Sequence, residues 1–180
     1  AAIRVEGGGV ACPGTLEQAY RACLWSRVAN RVLWAVAQFP APSPEALYDG
    51  VRTVDWSEHL TVAGTLAVEC TSTRSMITHT QFAALKVKDA VVDQFREQVG
   101  SRPAVDVAAP DVGLNLHLDR DVASVSIDLS GESLHRRGYR GAQGAAPLKE
   151  NLAAAVFFRA GWAKLAAAAG GELGFVDPMC

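Results

Sequence analysis

Cysteine is scarce and unpatterned in this chain. Cys12, Cys23, Cys70 and Cys180 are the only four in 180 residues, with no C-x-x-C pair and no tight His/Cys cluster. That spacing argues against a zinc site or a disulfide framework and fits a reducing cytoplasm. Long hydrophobic runs are missing as well. No stretch of eighteen apolar residues occurs, so no membrane span is expected. No basic-then-apolar leader follows Ala1, so no secretory signal is expected. The chain begins without Met inside one extended stretch and ends inside another, at GFVDPMC, so both ends read as cut. An excess of positive charge is lacking too. Seventeen Lys and Arg stand against nineteen Asp and Glu, a net charge of −2. Indiscriminate nucleic-acid binding needs many cations facing phosphates, so any such site must be a local patch. There is no internal repeat, and low complexity is confined to alanine-rich stretches at 153–155 and 166–169.

What is present is ordinary for a folded α/β protein, with 49% apolar and 20% charged residues. The length suffices for one or two compact domains. The longest clean helical period runs from Thr78 to Val99. Ala84, Val87, Val91, Phe95 and Val99 recur at spacings of three and four, with Leu85 and Val92 alongside. Lys86, Asp89, Asp93, Arg96 and Glu97 fall largely on the other side. Lys88 breaks the pattern, because its neighbours at three and four residues are Ala84, Leu85, Val91 and Val92. Its ammonium must reach past them to water, pair with a carboxylate, or meet an RNA phosphate.

Before that helix, Ile3–Glu6 and Val10–Cys12 read as short extended pieces around a glycine turn. Thr15 to Gln18 matches a capping box that opens a helix carrying Leu16, Tyr20, Cys23 and Leu24 on one side. Arg31–Phe39 is rich in β-branched and aromatic residues and reads as a strand. Pro40, Pro42 and Pro44 follow, and a domain boundary is placed there. Ser43-Pro44-Glu45 starts a helix, Asp55 opens a second capped turn, and 64–71 alternates as a strand. Beyond Gly100 a long loop with Pro103 and Pro110 precedes a probable hairpin, 112–119 and 122–129 around Arg120. Its clean alternation predicts a sheet covered on one side only. From 43 to 129 the expected order is helix, helix, strand, helix, strand, strand, with the three strands in one mixed or antiparallel sheet. A further helix starts at Pro147 to Glu150 and runs to about Arg159, and 175–177 reads as the start of a strand.

The densest basic run is His135-Arg136-Arg137-Gly138-Tyr139-Arg140. Three guanidiniums and an aromatic ring suit phosphate contact and base stacking. The same forks suit carboxylates between two domains, and both readings stand at this point. Arg74, Lys86 and Arg102 are further candidates for RNA contact, although each also matches a solvated surface charge. His79 and His117 have no ligand partners at metal-site spacing, so no metal is expected.

The strings LEQAYRACLWSRVANRVL (16–33), ALKVKDAVVDQF (84–95), DLSGESLHRRGYR (128–140), APLKENLAAA (146–155) and VDPMC (176–180) occur in order along nearly the whole chain. Together they resemble the bacterial THUMP-containing large-subunit (23S) ribosomal RNA guanine-N2 methyltransferases, a family also encountered under the name of adenine-specific DNA methylases. The resemblance implies an α/β (α+β) chain in three parts. These are a partial ferredoxin-like segment at 1–41, a THUMP domain at 42–131, and at 132–180 a connector, helix and first strand of a Rossmann-like methyltransferase domain. It implies RNA binding, with 23S rRNA as partner in the cytoplasm, and the basic residues Arg74, Lys86, Arg102, His135, Arg136, Arg137, Tyr139 and Arg140 are this chain's candidates for that contact. It also implies a role for Asp177 as the acid opening the S-adenosylmethionine motif. Two departures stand out. The family's glycine turn after DPMC and its Asn-Pro-Pro-Tyr type catalytic motif are not in this sequence, so the chain itself is expected neither to bind the cofactor nor to transfer a methyl group. The arginine that many relatives carry before the central helix is replaced at about that place by Thr78, with Arg74 four residues earlier. A stand-alone THUMP module and a piece of a tRNA-modifying relative are the alternative readings.

Overall fold

The computed structural model describes residues 3–6, 8–138, 148–170, 174 and 176. Strands β1 (Arg4–Glu6) and β2 (Gly9–Ala11) form a small antiparallel ribbon. Helix α1 (Leu16–Trp25) follows, opened by the expected capping box. The Thr15 amide donates to Gln18 Oε1 at 3.0 Å and the Gln18 amide donates to Thr15 Oγ1 at 3.2 Å. Two otherwise orphaned N–H groups are satisfied in this way.

Strands β3 (Leu33–Pro40), β4 (Thr65–Thr73), β5 (Ala104–Val105), β6 (Val112–Asp119) and β7 (Val122–Asp128) make one sheet in the order β3-β7-β6-β4-β5. β6 and β7 pair antiparallel, as do β3 and β7, while β4 runs parallel to β5 and β6. The expected hairpin is present, with Arg120 and Asp121 at its tip, both at positive φ. Two strands extend the expected sheet of three. β5 is two residues long, too short to show a period. β3 lies ahead of the proline-marked boundary at 41/42 yet hydrogen-bonds along the whole of β7. The three prolines interrupt the chain without separating the sheet: Pro40 ends the edge strand and Pro44 opens helix α2 (Pro44–Arg52), two places where a missing N–H costs nothing.

Helices α2 and α3 (Thr80–Val99) cover one face of the sheet. Leu47, Val51, Val87, Val91 and Phe95 pack with Leu66, Leu114, Leu116, Leu118 and Val125 into one core. The turn Trp56–Glu58 closes the end of α2, with Trp56 fully buried. The buried face of α3 is rotated from the expected one. Ala83, Ala90 and Gln94 are inside, whereas Leu85 and Val99 are 51% and 58% exposed. Small Ala83 and Ala90 allow close approach, and a buried Gln94 belongs there because all its polar atoms are used. Its Oε1 accepts from the Trp56 amide at 2.9 Å, and its Nε2 donates to the Arg52 and Val54 carbonyls at 3.2 and 2.8 Å. An apolar count cannot register a glutamine that closes a helix end.

Lys88 behaves as its neighbours require. Its side chain is 23% exposed, and the ammonium pairs with the carboxylate of Asp89, itself 48% exposed. Helices α4 (Glu150–Arg159) and α5 (Trp162–Ala168) follow the connector and contain no buried residue. The strand expected at 175–177 lies outside the described residues apart from Val176.

Candidate nucleic-acid interface

The polypeptide leaves β7 at Asp128 and turns immediately. The Ser130 amide donates to Asp128 Oδ1 at 2.8 Å, and Ser130 Oγ accepts from the Val32 amide at 2.7 Å. Arg31 pairs with both Asp128 and Glu69. Burial works against its charge, but the two carboxylates outweigh burial and hold its pKa above the ordinary guanidinium range. The connector then lies against the C-terminal end of α1, where carbonyls lack intrahelical donors.

Arg137 supplies those donors. Its Nη2 reaches the Cys23 and Ser26 carbonyls at 2.8 and 2.9 Å, Nη1 reaches the Leu24 carbonyl at 3.4 Å, and Nε donates to the Leu134 carbonyl at 2.6 Å. A cation at the negative end of a helix dipole is favourable as well. The Arg137 guanidinium is therefore a clasp between connector and helix. Among the described residues its side chain meets backbone carbonyls and no carboxylate. His135 is half-committed in the same manner, with Nδ1 at 2.7 Å from Ser133 Oγ and 3.3 Å from Asn30 Oδ1. Arg136, between them, is exposed and has no carboxylate partner among the described residues. Tyr139, Arg140 and Asp177 lie outside the described residues.

Between α1 and α4 the connector borders an open groove of about 500 Å³, lined by Trp25, Arg27, His135, Arg137, Glu150 and Asn151, among others. Asn151 Oδ1 is buried there and meets no donor among the described residues. Burial pushes the nearby Cys23 thiol up, against the opposing effects of Ser130 and Arg137.

The remaining candidates are not gathered at this place. Arg74 sits at the hairpin-tip end of the sheet with φ +50, donating from Nη2 to Asp119 Oδ1 at 2.9 Å. Its loop is pinned by Asp121, which accepts from the Met76 amide at 2.7 Å and donates its own amide to Ser75 Oγ at 3.0 Å. Lys86 stands on the first turns of α3 with its ammonium over the Phe82 ring, 5.7 Å from the centroid. β7 carries the chain from the tip to the connector, a rise of about 20 Å for seven residues. Arg102 lies beyond the far end of α3, next to β5, across the sheet from the connector. Two basic places thus exist, Arg74 with Lys86 at the tip and Arg136 at the connector, with Arg102 apart from both. His79 turns out to be the N-cap of α3, its Nδ1 accepting from the Phe82 amide at 3.0 Å. Among the described residues no three His, Cys, Asp or Glu side chains converge on a possible metal position, and no helix is long and apolar enough to cross a membrane.

A mixed sheet backed by two helices, with a small α/β segment in front and basic side chains at its margins, defines the class: residues 41–128 match the THUMP domain, and residues 1–33 match the RlmL ferredoxin-like domain. The chain carries a THUMP domain preceded by an RlmL-type ferredoxin-like domain. Over 178 residues, 99% of its length, it is 58% identical to Ribosomal RNA large subunit methyltransferase K/L of Methylococcus capsulatus. Over 177 residues it is 58% identical to the Pseudomonas aeruginosa protein of the same name. The chain spans about a quarter of these relatives, 24% in each case. Among solved structures it is similar to a predicted N6-adenine-specific DNA methylase from Listeria monocytogenes, at 34% identity and TM-score 0.77, over 87% of this chain and 41% of that one. It is also similar to SMU.472, solved in complex with SAH, at 31% identity and TM-score 0.76, over 87% of this chain and 42% of that one.

Proposed function

We propose that this chain is the RNA-positioning part of an S-adenosylmethionine-dependent methyltransferase acting on the exocyclic N2 of a guanine in 23S rRNA, in the cytoplasm. The observation that carries this reading is the 58% identity to large-subunit rRNA methyltransferase K/L across 99% of the chain. In this division of labour the described residues hold RNA, and methyl transfer belongs to the length of the relatives that the chain does not span. A base attacked at its exocyclic amine must leave its stack, so a domain that fixes the flanking backbone contributes positioning. Asp177, the one residue assigned to the cofactor, lies outside the described residues, and no cofactor step is built on the rest.

The geometry divides the connector arginines. Arg136 is the phosphate contact, and Arg137 holds the platform that presents it. The test measures affinity for 23S rRNA fragments across a salt series together with thermal stability. Arg136→Ala should weaken binding and flatten the salt slope by somewhat under one unit, the contribution of about one phosphate, at unchanged stability. Arg137→Ala should lower stability first. If the unaltered chain shows no salt-dependent affinity for rRNA, the reading fails.

A further inference from the structure

We propose a second element of the RNA surface: Trp25 is a stacking platform for an unpaired nucleobase, with Arg21 and Arg27 taking the adjoining phosphates. This rests on the RNA-positioning reading above and names a contact that reading does not contain.

Leu16, Tyr20 and Cys23 mark the apolar side of α1, and of these Cys23 meets the rest of the fold, its Sγ approaching the Leu129 carbonyl at 3.6 Å, while Leu16 and Tyr20 are 43% and 53% exposed. Trp25 is nine residues beyond Leu16. At about 100° per residue that is two and a half turns, which puts Trp25 on the opposite side. It shares that side with Gln18, Arg21 and Ala22, and these four residues line a shallow depression. Trp25 is 73% exposed. Trp25 thus lies away from the contact that Cys23 makes, on the side of the helix that carries Gln18 and Arg21.

The surroundings have the chemistry of a nucleotide site. Trp25 also lines the larger groove beside the connector, so it borders both depressions. Arg21 precedes it by one helical turn and Arg27 follows by two residues. Both are exposed, and neither has a carboxylate within 4.0 Å among the described residues. No ring or cation is recorded against the Trp25 faces among the described residues, whereas Tyr48, Phe82 and Trp56 each have such a neighbour. Arg137 clamps the end of the helix two residues before and one residue after the position of Trp25, so the platform is held rigidly. The groove contains one carboxylate, Glu150, whose Oε2 receives the Arg137 amide at 3.4 Å. A flat, free aromatic surface flanked by unpaired guanidiniums is the pattern by which single-stranded nucleic acid is held without base readout. A duplex offers no unstacked base to such a ring.

The experiment titrates the chain with a labelled single-stranded rRNA fragment and with the same RNA annealed to its complement, across a salt series, with thermal unfolding in parallel. Trp25→Ala should weaken single-strand binding by about 5- to 150-fold, the effect of losing one stacked base, with the salt slope and duplex binding unchanged. Trp25→Phe should recover most of the loss. Arg21→Ala with Arg27→Ala should flatten the single-strand slope by about 1.4. The proposal is overturned if Trp25→Ala binds single strands like the unaltered chain, or if it weakens both RNAs equally. It is also overturned if the loss follows a fall in stability that Trp25→Phe does not repair, which would make Trp25 a protein-packing residue. An unaltered chain that binds neither RNA would remove the RNA-positioning reading itself, an outcome separate from these.

Discussion

A Cβ added to Gly50 of α2 would lie 2.2 Å from the ring of Phe39 on β3. The edge strand and the first helix behind the proline segment thus meet ring against backbone, and they do so across the boundary that those prolines suggest.

Gly50→Ala should therefore destabilise the protein although alanine is the better helix former by about 1 kcal/mol. Overpacking of this kind costs about 1–3 kcal/mol, and the atoms met belong to the rigid Phe39 ring. A fall in the thermal midpoint is expected. Phe39→Leu in the same chain should recover part of it, which a double-mutant cycle would read as coupling between the two sites.

Gln94→Leu should be more damaging than a surface change on α3. It strands the buried Trp56 amide and removes the donor shared by the Arg52 and Val54 carbonyls. Each buried group left without a partner costs about 1–3 kcal/mol. Denaturant unfolding should show a lower midpoint with the slope unchanged.

Lys88→Met should change stability by less than about 1 kcal/mol. The carboxylate it would leave, on Asp89, is 48% exposed and stays hydrated, so the large cost of a stranded buried charge does not arise. A loss of several kcal/mol in chemical denaturation would show that the stem is supported by more than this pair.

Cys70 should resist alkylation in the folded chain. Burial pushes its thiol up to about 11 from an ordinary value of 9.0. At pH 8 Cys12, which is exposed, should be modified first by iodoacetamide, as peptide mass spectrometry would show. The linked effect on stability has a definite sign. Above pH 9 the unfolded thiol ionises while the folded one stays neutral, so stability declines with rising pH between about 9 and 11. Cys70→Ala should flatten that decline.

Much of this molecule was legible in its residues. The capping box at Thr15, the Ser43-Pro44-Glu45 start, the long period of α3 and the alternation of β6 and β7 are local signals, set by neighbours within a turn or a pleat. Local chemistry sufficed for those elements, and the ordered strings sufficed for the family likeness. Other features depend on partners far along the chain. β3 joins the sheet because β7, over eighty residues later, offers a free edge. Gln94 is buried because the end of α2 happens to need its three hydrogen bonds. Arg137 looks like any other arginine of its cluster until the carbonyls of α1, more than a hundred residues earlier, are seen to occupy it. Trp25 looks like a helix hydrophobe until the folded chain places it beside the connector groove, between two exposed arginines. Sequence alone determined the longer helices and strands and which residues carry charge. Only the tertiary structure decided which charges remain free, because hydrogen bonds to distant backbone leave no periodicity to read.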